Sequence, residues 1–203
     1  MAIRDVVAFP HPILKQRCVE VTQFDADLHI LLEDMAQTMV DADGIGLAAN
    51  QVGVAVRVFL MDVPVTREPG KAARAEQKAQ HPEQNQRTGL VEIINPQILA
   101  RRGEMKYEEG CLSFPGVNEW VQRAAEIDLQ FQDRHGAVHQ VTAQGLVAVC
   151  IQHEIDHLDG ITFLDRLSPF KRKIAMREYL RQNRDVIEDQ AMREKLKQKR
   201  VAG

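Results

Sequence analysis

The spacing of hydrophobic positions changes several times along the chain, and each change marks an element. Over residues 25–43, Leu28, Leu31, Leu32, Met35 and Met39 recur at three- and four-residue steps and so share one face of a helix. Asp25 supplies an N-cap oxygen and Gly44 stands just past the last turn, so the segment predicts an amphipathic helix. Gly44-Ile45-Gly46-Leu47-Ala48-Ala49-Asn50-Gln51-Val52-Gly53 follows, with small side chains among glycines, where the backbone can approach another group closely. Short apolar runs at 56–61, 90–94, 104–107, 126–131 and 137–141, bounded by Gly, Pro and Asp-Arg-His-Gly turns, predict strands. Strands this short pair as antiparallel meanders, and helices gathered beside them give an α+β fold.

Two segments break the pattern. Residues 66–87 contain no Val, Ile, Leu, Phe, Met, Tyr or Trp, so they cannot bury a core and predict a mobile surface insertion, with a short helix near 72–79. After Ser168, Pro169 opens a long helix carrying Ile174, Tyr179, Leu180, Ile187 and Leu196. From Lys171 onward, 11 Lys/Arg face 5 Asp/Glu, a local charge of +6 within a chain of net charge −3. The organisation expected is one domain over 1–168, with a basic helix and tail over 169–203 appended to it.

Composition narrows the functional classes. At 203 residues and 44% hydrophobic, the chain supports one sizeable core. Its charge balance does not suit a DNA-binding polycation, and it lacks a 20-residue apolar run for a membrane span. The opening Met1-Ala2-Ile3-Arg4-Asp5-Val6-Val7 has no apolar signal core, which predicts a cytoplasmic protein. Cys18, Cys111 and Cys150 are too few and too dispersed for a disulfide framework, so each is a packed thiol or a ligand.

The strongest chemical signal is Gln152-His153-Glu154-Ile155-Asp156-His157. His153 and His157 stand one helical turn apart and can reach one metal ion, with Glu154 placed to act on a water beside it. Helices rich in charged residues also produce this pattern without binding anything. Two imidazoles need a third donor. In one protease pattern that donor is a histidine ten residues after the first, but Phe163 holds that place. Glu178 is a second candidate, with a solvated helix surface as its ordinary explanation. Cys111 in Glu108-Glu109-Gly110-Cys111-Leu112-Ser113 is the third, and a buried small thiol is its ordinary explanation.

Taken in order, Gly44-Ile45-Gly46-Leu47-Ala48-Ala49-Asn50-Gln51, Glu109-Gly110-Cys111-Leu112-Ser113 and Gln152-His153-Glu154-Ile155-Asp156-His157 resemble the three motifs of the peptide deformylases. The resemblance covers most of the chain except 66–87. It implies an α+β fold of antiparallel strands packed around a central metal-binding helix, with the 1–168 unit catalytic. It also implies a hydrolase that removes the formyl group from N-terminal formyl-methionine of new polypeptides and releases formate. Two other readings stand beside it: a His-Glu-x-x-His metalloprotease, and an inactive homologue that binds the ribosome or RNA.

By this resemblance Cys111, His153 and His157 bind one divalent ion, ferrous iron in the native protein, with zinc, nickel or cobalt able to replace it. Glu154 is the general base, and the Gln51 side-chain amide and Leu112 backbone N–H stabilise the oxyanion. Ile45, Gly46 and Gly110 pair with the extended peptide, while Ile45, Val149 and Cys150 form the methionine pocket. Asp156 either orients a ligand, pairs with Arg123, or is a solvated helix acid. The partners implied are formyl-methionyl nascent peptides and, through the basic C-terminal helix, the ribosome. The protein is expected to act as a monomer. Asn50 departs from the commoner threonine, and 116–123 lacks the early arginine and the proline often seen there, which leaves the groove rim open.

Overall fold

A computed structural model describes residues 2–64 and 88–201. The expected insertion at 66–87, with its helix near 72–79, lies outside the described residues. The first helix, α1 (Ala26–Asp41), begins where capping predicts, with the Asp25 carboxylate accepting from the Leu28 N–H. Among the described residues seven strands follow: β1 (Gly46–Ala48), β2 (Val58–Met61), β3 (Val91–Arg102), β4 (Met105–Gly110), β5 (Asn118–Arg123), β6 (Glu126–Gln132) and β7 (Val138–Gln144). They form a five-stranded antiparallel sheet of order β1-β2-β3-β6-β7 and a separate β4-β5 hairpin. Helix α2 (Gly145–Leu158) leaves β7 and packs back on the sheet, and α3 (Pro169–Gln182) and α4 (Arg184–Val201) close the chain. Among the described residues, no helix is long and apolar enough to cross a membrane.

The two faces of β2 explain why its sequence is apolar without alternation. Val58 and Leu60 pack with Leu28, Leu32, Met35 and Met39 of α1, whereas Phe59 and Met61 pack with Ala148, Ile151 and Ile155 of α2. A strand covered by helices on both sides needs no polar face. Every residue of α2 from Ala148 to Leu158 is buried, so the helix that carries the two histidines runs through the interior.

Two strands escape sequence reading. β1 is three small residues long, and β5 (Asn-Glu-Trp-Val-Gln-Arg) turns Val121 and Arg123 inward, so one of its two buried positions is a charge. The C-terminal helix opens at Pro169, with Ser168 capping it, and is interrupted at Asn183. There the side-chain amide donates to the carbonyls of Pro115 and Tyr179, anchoring the break against the loop after Cys111. Tyr179 and Ala175 of α3 join Phe114, Val121, Phe163 and Leu164 in a third apolar cluster behind that loop.

Candidate metal centre and its groove

Three elements meet at the site. Helix α2 presents His153 and His157, the end of β4 leads into Cys111, and the turn after β1 presents Gln51. Gln152 locks α2 to the sheet: its amide nitrogen donates to the Ala124 carbonyl at 3.0 Å, and its oxygen accepts from the Ala124 N–H at 3.0 Å. Asn50 donates to the His157 carbonyl at 2.6 Å, satisfying a backbone oxygen of the last helical turn. The departure from threonine at that position therefore has a partner.

Among the described residues, Cys111, His153 and His157 form the one His/Cys/Asp/Glu group able to hold a metal ion, with donor atoms all within 4.8 Å of one another. Cys111 Sγ lies 3.2 Å from His157 Nε2. Two ligands of one tetrahedral ion, with bonds of about 2.3 Å to sulfur and 2.0 Å to nitrogen, would stand roughly 3.5 Å apart, so the thiol and imidazole fit a shared ion. Burial, helped by His153 and Arg123, pushes His157 well below the usual histidine range, which keeps it in the neutral form a cation requires. Burial also disfavours a charged His153, but Cys111 and Glu109 on either side override it and hold its pKa well above the ordinary value. A cation held by the three donors would take over that proton's role.

Behind His153 stands a buried ionic chain. Glu109 Oε2 lies 2.8 Å from His153 Nδ1, and Arg123 grips the same carboxylate through two bonds of 2.7 and 2.9 Å. Burial alone would raise Glu109, but Arg123 and His153 outweigh it and hold the carboxyl at about 2. Arg123 also donates to Asp156 at 2.5 Å, and Asp156 receives Arg166 at 2.9 Å. The carboxylate–histidine contact fixes the ring's tautomer and leaves Nε2 for a metal. Arg123 and Glu109 are both buried, so losing the arginine leaves Glu109 in the interior with His153 alone, at a cost of about 3–5 kcal/mol, while Asp156 keeps Arg166. Asp156 is thus the partner of Arg123, one of the three roles the sequence allows it. Glu109 and Arg166 are the members that sequence reasoning missed; the only signal for Glu109 is an acid two residues before the cysteine at a strand end.

Glu154 is buried beside the cluster, and its Oε2 has no hydrogen-bond partner among the described residues. Burial, with Glu109 adding to it, lifts its pKa to about 7 against the pull of His153 and Arg123. Its other oxygen faces the backbone of Gly46, where an added Cβ would lie 2.3 Å from Oε1 and 3.0 Å from Cys150 Sγ. Only glycine permits that approach. Gln51 is buried at the inner wall of the site: its Oε1 accepts from the Ala48 N–H at 2.9 Å, and its Nε2 reaches Ser113 Oγ at 3.1 Å and Cys111 Sγ at 3.5 Å.

All of this opens on a groove of about 850 Å³. Ile45, Gly46, Gly110, Leu112, Val149 and Cys150 line it together with Gln51, Cys111, His153 and Glu154, while His157 lies deeper. Asn118 and Trp120 of β5 line it too, placing the divergent 116–123 segment at the rim. The remaining candidates lie elsewhere. Glu178 is exposed on α3 and bonds Arg181 and Gln182, Cys18 is buried in the sheet core, and Phe163 packs its ring 6.0 Å from that of His153. Glu178 is therefore not brought to the histidines as a third ligand.

The chain and its fold resemble known proteins. The family described as polypeptide deformylase matches residues 3–173. A curated peptide deformylase of Wolinella succinogenes is 42% identical over 179 residues, 88% of this chain and 96% of the relative. The crystal structure of a peptide deformylase from Legionella pneumophila superposes with a TM-score of 0.74 at 37% identity, covering 90% of this chain and 96% of that one. A peptide deformylase from Ehrlichia chaffeensis in complex with actinonin gives 0.77 at 36% identity, covering 91% and 99%.

Proposed function

Because the chain belongs to the polypeptide deformylase family, we propose that the Cys111–His153–His157 cluster, Glu154 and Gln51 carry that family's reaction. The reaction is metal-dependent removal of the formyl group from the N-terminus of new polypeptides. The observation that supports these residues is their convergence: three donors within 4.8 Å, beside a buried carboxylate whose Oε2 has no hydrogen-bond partner among the described residues, in an open groove.

Cys111 as thiolate and the two imidazoles would hold the ion, leaving it a single net positive charge. When bound, such a cation supplies Lewis acidity, which acidifies water and polarises a carbonyl. Glu154 accepts the proton of the attacking water and passes it to the departing amine, a task matched to a carboxyl near neutrality. As water adds to the formyl carbon, the carbonyl oxygen gains charge. The Gln51 amide and the Leu112 N–H are the donors assigned to it. The C–N bond then breaks, giving formate and a free α-amine.

The peptide lies extended along β1, the edge strand of the sheet, with main-chain pairing at Ile45, Gly46 and Gly110. Recognition through the main chain suits an enzyme that accepts many sequences. Ile45, Val149 and Cys150 enclose the methionine side chain. The family resemblance implies ferrous iron, and a sulfur and two nitrogens suit borderline divalent metals as a class, so zinc, nickel or cobalt fit as replacements.

The protein works as a cytoplasmic monomer in which 1–168 is the catalytic unit and 169–203 an appended basic segment. Its +6 charge from Lys171 onward supports docking on ribosomal RNA. Loss of ribosome cosedimentation at low salt on neutralising exposed Lys171, Lys173 and Arg177 is the expected result, and undiminished cosedimentation argues against the docking. For the reaction itself, anaerobically purified protein is expected to release formate from formyl-Met-Ala-Ser. An absence of formate would overturn the assignment.

A further inference from the structure

The last helix lies wholly beyond residues 3–173, the part that matches the family, yet it reaches back to the site. The link is the extended segment 7–9. The Val7 N–H donates to the Gln51 carbonyl at 2.7 Å, and the Phe9 N–H donates to the Ser113 carbonyl at 3.0 Å. These three residues therefore tie the Gln51 turn to the loop carrying Cys111 and Leu112. Ala8, between them, turns both backbone groups the opposite way, as alternation in extended chain requires. Its N–H donates to Gln190 Oε1 at 2.9 Å, and its carbonyl accepts from Gln190 Nε2 at 3.1 Å. Tyr179 adds a third hold, its hydroxyl donating to the Phe9 carbonyl at 2.6 Å.

We propose that Gln190 is a positioning residue for deformylation: by clamping both backbone groups of Ala8, α4 fixes the 7–9 strap and thereby the placement of the Gln51 amide. This rests on reading Gln51 as an oxyanion donor. A carboxamide is suited to the task because it offers one donor and one acceptor side by side, matching the N–H and C=O of a single residue. An oxyanion donor acts through placement, and a displacement of about 1 Å at a catalytic group can cost on the order of 100-fold in rate. Losing one of several holds displaces it less, because Tyr179, Val7 and Phe9 keep their bonds. The groove walls at Ile45 and Val149 belong to the segment before β1 and to α2, elements that the clamp on Ala8 does not hold, so KM is not expected to follow kcat.

The test compares the full-length, metal-loaded protein with Gln190→Ala, Gln51→Ala and the double variant. Formate release from formyl-Met-Ala-Ser gives kcat and KM, and hydrogen exchange follows the amides of Val7, Ala8 and Phe9. In Gln190→Ala, faster exchange at all three amides is expected, with kcat lowered about 5-fold and KM within about 2-fold. In the Gln51→Ala background the further loss should vanish, because the clamp acts through that side chain. Unchanged exchange, faster exchange with unchanged kcat, or the same loss in both backgrounds would each overturn the proposal. If Gln51→Ala alone leaves kcat intact, the oxyanion assignment itself has failed, and the clamp's effect on exchange still reports whether the strap is held.

Discussion

Exchanging Glu154 for glutamine is expected to lower kcat for formyl-Met-Ala-Ser by roughly 1,000-fold, with bound metal retained and thermal stability unchanged or raised. The change keeps the side chain's shape, which matters because Oε1 packs against the Gly46 backbone with no room for even one added carbon. What it removes is the ability to take and return a proton. It also removes a carboxyl whose charged form burial disfavours, and such groups are held at active sites at some expense to stability. Loss of rate without loss of stability separates a proton carrier from a structural residue. A variant retaining most of its rate would refute the assignment. Glu109 is poorly suited to replace it, since Arg123 and His153 hold that carboxyl at about 2.

The same residues show what a sequence can disclose. His153 and His157 are legible because a helix fixes their relation locally: four residues apart means one face. The capped helix at 26–41 is legible for the same reason, and its boundaries follow from Asp25 and the residues before Gly44. Cys111 is not local. Its partners lie across the fold, and geometry could not be read from spacing, so the ordered set of three motifs carried that step. The chain from Glu109 through Arg123 to Asp156 and Arg166 was least visible, because each member resembles a surface charge until β5 folds inward. β5 itself was hidden by that buried arginine, which removes the alternation that would have announced a strand. The break at Asn183 was hidden too, because a helix-compatible sequence ends there through a tertiary bond to the Pro115 carbonyl.

Replacing Cys111 with serine is expected to take bound metal from near one ion per chain to a trace after dialysis against a chelator, and to lower activity by at least about 100-fold. That figure is the upper end of what loss of an outer partner such as Glu109 costs, and a direct ligand contributes more. A serine hydroxyl is of similar size but does not ionise near neutrality, so the site loses both its soft donor and the negative charge that offsets the cation. Metal content measured directly, alongside formate release, separates lost binding from lost chemistry. Glu178→Ala is the paired control: exposed on α3 and bonded to Arg181 and Gln182, that carboxylate has no path to the cluster, so metal and rate should both survive. The opposite pattern, with metal kept in Cys111→Ser and lost in Glu178→Ala, would return the two histidines to a protease-type site. The 3.2 Å between Cys111 Sγ and His157 Nε2 argues against that outcome, because a sulfur so close to an imidazole nitrogen is already spaced to share an ion with it.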